Sequence, residues 1–211
     1  MSAMFRSWTA LAAIGIAVAT AGCGEMATEG RSPSQLVLLS LTAAPGSDPT
    51  ETRGTLQSDV LTIVQRTVGG QQVSSPTIFN DIAEANFGLV LKDPGSDPAS
   101  PTAPTPLNSV TITRYRVVYR RTDGRNTPGV DVPFPFDSGV TATVTTDGGE
   151  AEFELVRSSA KLDTPLSPLA GNPEIISTIA EVTFYGRDQA GNDVSVSGLI
   201  GINFADFADP D

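Results

Sequence analysis

Val110-Thr111-Ile112-Thr113-Arg114-Tyr115-Arg116-Val117-Val118-Tyr119-Arg120 is the stretch from which the fold of this chain can be read. Polar and apolar residues alternate with a period of two, the spacing at which successive side chains leave opposite faces of an extended strand. Strict alternation places Ile112, Arg114, Arg116 and Arg120 on one face and Tyr115, Val117 and Tyr119 on the other. The stretch is therefore expected to be a half-exposed strand, in a sheet with one face on a core and the other in water.

The same pattern continues downstream. Asp123-Gly124 supplies turn residues, and Val130 to Phe136 reads as a strand interrupted by Pro133 and Pro135, which point to an edge or an irregular segment. Val140 to Thr145 alternates, Asp147-Gly148-Gly149 bends, and Ala151 to Arg157 alternates in reply, which predicts a hairpin. A second pair follows: Ile179 to Gly186, a turn at Asp188-Gln189-Ala190-Gly191-Asn192, and Val194 to Phe204. Residues 206–211 read as a solvated acidic tail.

Upstream the signal is less regular. Leu36 to Leu41 is an apolar run that fits either a strand buried on both faces or a short buried helix, and Pro45-Gly46 after it favours the strand. Val60 to Val64 reads as another strand, with Gly69-Gly70 as a turn. Thr77 to Phe87 fits a helical face through Ile78, Ile82 and Ala85, while its flanks suit strands; Phe87 to Leu91 is a better strand. Residues 93–107 carry too much proline for a sheet interior and form a loop or an internal boundary. Pro-Gly-Ser-Asp-Pro occurs at 45–49 and again at 94–98, which reads as one turn chemistry used twice. Many short strands between turns define an all-β, antiparallel β-sandwich over residues 36–205, as one domain or two small packed sandwiches.

Composition narrows the chemistry. The 211 residues hold no histidine and one cysteine, with 13 basic against 24 acidic residues. Lack of histidine removes Ser-His-Asp and Cys-His arrangements and histidine-bound zinc. Neither a P-loop nor a dinucleotide fingerprint occurs, so no cofactor is expected. The acidic balance disfavours nucleic acid and anionic lipid headgroups. Catalysis would have to rest on paired carboxylates, as in a hydrolase, or on Lys92 or Lys161, and nothing local recommends either; a non-enzymatic role is expected.

The N-terminus carries an address. Arg6 is followed by an apolar stretch from Leu11 to Ala19, too short to span a bilayer comfortably, and then by Thr20-Ala21-Gly22-Cys23. This resembles the lipobox of bacterial lipoproteins, in which the cysteine is lipidated; Thr20 departs from the usual aliphatic residue. The resemblance implies a signal peptide at 1–22, lipidation of Cys23 and a polar tether at 23–35. The mature chain would then hold 12 basic and 24 acidic residues, a formal charge of −12, with membrane attachment through lipid and no disulfide. Gly24 rather than Asp after Cys23 resembles lipoproteins forwarded to the outer membrane.

Residues 123–134, Asp-Gly-Arg-Asn-Thr-Pro-Gly-Val-Asp-Val-Pro-Phe, and 143–151, Thr-Val-Thr-Thr-Asp-Gly-Gly-Glu-Ala, resemble the immunoglobulin-like modules of invasin-type bacterial surface proteins. Tyr185-Gly186-Arg187-Asp188-Gln189-Ala190-Gly191-Asn192 is similar to a turn near the end of such repeats. The resemblance implies an immunoglobulin-like sandwich of the cell envelope; fold alone does not carry function.

Three constellations are candidate sites. Arg114, Arg116, Arg120, Arg121 and Arg125 concentrate positive charge and could dock an acidic envelope protein or polysaccharide, or be balanced by the chain's own carboxylates. Asp188, Asn192 and Asp193 offer oxygen ligands for calcium, although each also suits a turn. Phe134 and Phe136, between prolines, could accept a partner or pack in the core. A glycan or small-ligand binder is the alternative function. Its aromatic supply is thin, because Trp8 leaves with the signal and only Tyr115, Tyr119 and Tyr185 remain as rings with polar tips.

Overall fold

The computed structural model describes residues 30–208 other than 94 and 98. The signal segment, Cys23 and the first part of the tether, like the final residues 209–211, lie outside the described residues.

Ten strands are described: β1 (Ser34–Ala44), β2 (Thr55–Asp59), β3 (Thr62–Val68), β4 (Gln71–Thr77), β5 (Asp81–Leu91), β6 (Val110–Arg120), β7 (Phe136–Val144), β8 (Gly149–Val156), β9 (Ile176–Asp188) and β10 (Asp193–Ala205). The short helix α1 (Ser158–Leu162) lies between β8 and β9. A three-stranded sheet in the order β1-β5-β8 faces a five-stranded sheet in the order β2-β10-β9-β6-β7, and β3 and β4 form a separate ribbon. Strands from both sides of the loop at 93–107 enter both sheets, so the loop joins the halves of one sandwich. Pairing is antiparallel except between β2 and β10, which run parallel.

The core is where the inward faces meet. Phe87 of β5 and Phe153 of β8 stand edge-on to Phe184 of β9, with ring centroids 4.9 and 5.1 Å apart, and Phe153 lies 4.8 Å from Tyr115 of β6. Val110, Val117, Val182, Ile202 and Phe204 complete the five-stranded side. Alanines at 83, 85 and 151 line the opposite sheet and leave room for these rings.

β6 departs from strict alternation. Ile112 is fully buried on the same side as Tyr115, while Thr113 and Arg114 are both exposed. The register shifts between Ile112 and Arg114 against both neighbours, with Thr113 the extra residue against β9 and Val140-Thr141 opposing it on β7, so Ile112 belongs to the core face rather than the arginine face.

Asp147-Gly148-Gly149 does not produce a hairpin. Thr145 and Gly148 exchange two backbone hydrogen bonds, at 3.0 and 3.1 Å, and then the strands part. β7 pairs with β6 in one sheet, and β8 pairs with β5 in the other. Alternation records one apolar face per strand, and two such strands satisfy it equally well facing each other across a core as lying side by side. The hairpin expected in the last third does form, with Asp193 opposite Arg187 and Phe204 opposite Ile176.

Several boundaries move. β1 is not buried on both faces: it is an edge strand with a bulge between Leu38 and Ser40, and Leu39 is 67% exposed beside Gly88. The tether is shorter than expected, since Ser32 and Ser34 are buried and β1 begins at Ser34. The strand expected at 60–64 starts two residues later, as β3 at Thr62, because the Asp59 carboxylate accepts the Leu61 N–H at 3.4 Å and the Thr62 hydroxyl at 2.6 Å and turns the chain between β2 and β3. The ambiguous segment resolves into β5, with Ala83, Ala85 and Phe87 pointing inward. Residues 130–135 are not a strand; Gly129 N–H bonds the Val132 carbonyl at 2.8 Å, and β7 starts only at Phe136. The tail is docked at its start, where Asp206 accepts the Gly171 N–H and the Phe207 N–H bonds Asp59.

Candidate functional site

The outward face of β6 projects Arg114, Arg116 and Arg120 over the five-stranded sheet. Asp137 at the start of β7 receives both Arg114, at 2.5 Å, and Arg116, at 2.9 Å. Glu181 of β9 faces Arg120 at 3.3 Å. Arg121 and Arg125 are not on this face: in the loop after β6 they clamp Asp123 from either side, at 2.7 and 2.8 Å. Their hydrogen bonds hold the Asp123 carboxyl well below the usual carboxylate range. The five arginines of the sequence cluster are thus two groups, three facing Asp137 and Glu181 and two sharing Asp123, so each group is paired with carboxylates of the same chain but keeps a surplus of positive charge.

The sequence pattern does not join Arg187 or Tyr185, the latter a candidate ring for glycan binding, to the arginine cluster; β9 brings both alongside Arg114. The Arg114 guanidinium carbon stands 3.9 Å from the centre of the Tyr185 ring. Arg187 bonds Asp193 at 2.8 Å across the hairpin. Together with Thr113, Gly186, Val194 and Ser195 they line an open groove of about 560 Å³. Register with β9 sets this geometry, placing Arg114 opposite Tyr185, and the bulge adds Thr113 to the groove. Cross-strand partners at one position of a sheet are visible in sequence only when register is known.

The calcium candidates do not converge. Both Asp188 oxygens are spent on its own turn, accepting the N–H groups of Ala190 and Asn192 at 2.9 and 2.8 Å and the Asn192 amide at 2.8 Å. Burial pushes this carboxyl up, but the hydrogen bonds from Asn192, Ser32 and Ala190 outweigh it and hold the group below its ordinary value. Asp193 turns to Arg187. Among the described residues no group of three or more acidic, histidine or cysteine side chains is placed to hold a metal.

Phe134 and Phe136 separate. Phe134 is 61% exposed and packs on Gly129, while Phe136 is half-buried against Tyr115, with the Arg157 guanidinium 3.9 Å over its ring. Between them and α1 lies a smaller groove of about 250 Å³. Tyr115 and Tyr119 are core residues rather than platforms; their hydroxyls donate to the carbonyls of Glu154 and Leu155 at 3.0 and 2.7 Å.

A buried ionic network lies apart from these grooves. Lys161 of α1 and Asp81 at the start of β5 have side chains only 1% exposed, with the ammonium 3.0 and 2.9 Å from the two carboxylate oxygens. Oδ1 also accepts the Gly46 N–H at 3.0 Å, and Oδ2 accepts the Ser58 hydroxyl at 2.6 Å. Burial pushes the Asp81 carboxyl up, and Lys161, Ser58 and Gly46 draw it back. Lys161 is one of only two lysines, which singles it out by type; its partner, 80 residues away, has no local signal.

No protein family matches this chain, and neither a curated protein nor a solved structure is significantly similar to it. What the chain does is therefore argued from its own residues.

Proposed function

We propose that this protein is a non-catalytic, lipid-anchored module of the bacterial cell envelope, probing an acidic envelope protein or polysaccharide with the outer face of its five-stranded sheet. The observation that carries the reading is the groove at Arg114, Tyr185 and Arg187, where two guanidinium groups flank a tyrosine on an otherwise acidic chain. Each arginine is held in place by a carboxylate, and exposed pairs of this kind contribute only about 0–1 kcal/mol to stability, so their partners can be exchanged at little cost. Guanidinium groups suit bidentate recognition of carboxylate or phosphate. The anchor rests on the Cys23 motif, and the immunoglobulin-like kinship on the motifs at 123–134, 143–151 and 185–192. The glycan-binding alternative has one observation in its favour, the half-exposed Tyr185, but Arg114 covers a face of that ring.

The test is binding of the purified protein to immobilised acidic envelope polysaccharide and to detergent-solubilised envelope protein. Arg114→Glu with Arg187→Glu is expected to reduce saturable binding at least tenfold while leaving thermal unfolding unchanged; unaltered binding would sink the assignment of this face. Cell fractionation of Cys23→Ala tests the anchor separately, with release from the membrane as the expected result.

A further inference from the structure

We propose that Lys161 and Asp81 become joined by an amide bond between Nζ and Cγ, an intramolecular cross-link tying α1 to β5. The amine and the carboxyl are held in contact at 2.9 and 3.0 Å, with side chains 1% exposed on both sides. Contact this close, in one fixed orientation, replaces a collision between separate molecules and raises the effective concentration of the amine at the carboxyl by many orders of magnitude. Enclosure matters as much. A charged pair taken out of water loses the solvation that favours separated charges, so the uncharged pair, amine and carboxylic acid, becomes accessible by moving one proton from Nζ to Oδ2.

The remaining contacts fit the chemistry. Nζ, now carrying a free electron pair, attacks Cγ and forms the new C–N bond, and the negative charge of the tetrahedral centre collects on Oδ1. There the Gly46 N–H already points, at 3.0 Å, as an oxyanion donor. The Ser58 hydroxyl, 2.6 Å from Oδ2, is placed to pass a second proton from the nitrogen to that oxygen. Oδ2 then leaves as water, the Cγ–Oδ2 bond breaks, and one hydrogen stays on the amide nitrogen. Ammonium and carboxylate thus yield amide and one water, with no oxidant, reductant or co-reactant. The bond would close an 80-residue span in a chain whose single cysteine precludes an internal disulfide.

Peptide mapping of the purified full chain decides the matter. After denaturation and tryptic digestion, the expected product is a branched peptide joining residues 67–92 to residues 158–187, lighter than the sum of its parts by one water and uncut after Lys161. Fragmentation should place the junction at Asp81. Lys161→Arg should release unmodified 67–92 as a separate peptide and restore cleavage after residue 161. Recovery of unmodified 67–92 peptide together with cleavage after Lys161 in the wild type would overturn the proposal. So would loss of water mapped instead to succinimide at Asp123-Gly124 or Asp147-Gly148. The wild-type digest is decisive by itself, even if the variant fails to fold.

Discussion

Deleting Thr113 from β6 is expected to leave the sandwich folded, whereas deleting Arg116, three residues later, should unfold it. Without Thr113 the inward residues Val110, Ile112, Tyr115, Val117 and Tyr119 fall on a strict period of two, and the ladder to β9 becomes continuous from Ile112–Gly186 to Arg114–Tyr185. The damage falls on β7, where Val140 and Thr141 must loop out between Ala142 and Gly139. β7 is an edge strand, so the cost is one or two hydrogen bonds, about 1–2 kcal/mol. Deleting Arg116 reverses every residue after it. Val118 takes the place of Val117, but Tyr119 leaves the core, carrying ~200 Å² of side chain into water at ~25 cal/mol/Å², about 5 kcal/mol. Its hydrogen bond to the Leu155 carbonyl is lost, and Arg120 is driven inward. That total rivals the whole stability of a typical domain, about 5–15 kcal/mol. Urea unfolding followed by circular dichroism measures both variants. Equal losses for the two deletions, or a folded Arg116 deletion beside an unfolded Thr113 deletion, would refute the account of the bulge.

Phe184→Ala, which empties the site between Phe87 and Phe153, should cost about 3–5 kcal/mol in the same assay, with Phe184→Leu recovering much of it. Asp188→Asn should lower stability by about 1–3 kcal/mol near neutral pH. The folded-state value of Asp188 lies below the ordinary 3.8, so its stabilisation is present above that pH and lost as pH falls through the folded value; melting temperatures of variant and wild type should converge in acid. Gly129→Ala places a side chain at a backbone φ of 76° and against the Phe134 ring, and should cost about 1–2 kcal/mol by thermal melting while loosening Phe134.

The sheet character of this chain was legible because half-buried strands carry a period of two, which runs through the thirteen residues of β9 and on either side of the bulge in β6. Where strands go is another matter. β7 and β8 read as a hairpin because a turn sequence and two alternating arms look the same whether the arms pair or face each other across the core. β2 was missed because five residues with two buried positions give too short a pattern to register. At the candidate site, the charge of β6 was visible, but Tyr185 and Arg187 join it through register alone. Asp188 illustrates the opposite limit: the right residue types for a metal were present, and local backbone N–H groups claimed them first.

The parallel pairing of β2 with β10 sets a timetable. Residues 55–59 find their ladder only on residues 201–205, so the first-made edge of the large sheet waits for the last-made strand. Such distant pairing slows folding, because loop closure has to precede the contacts that reward it. A chain emerging N-terminus first, from a ribosome or a translocation pore, cannot complete this sheet until nearly all of it is through. Fragments ending before Gly201 should remain open at β2, and degradation from the C-terminus would undo the closure first.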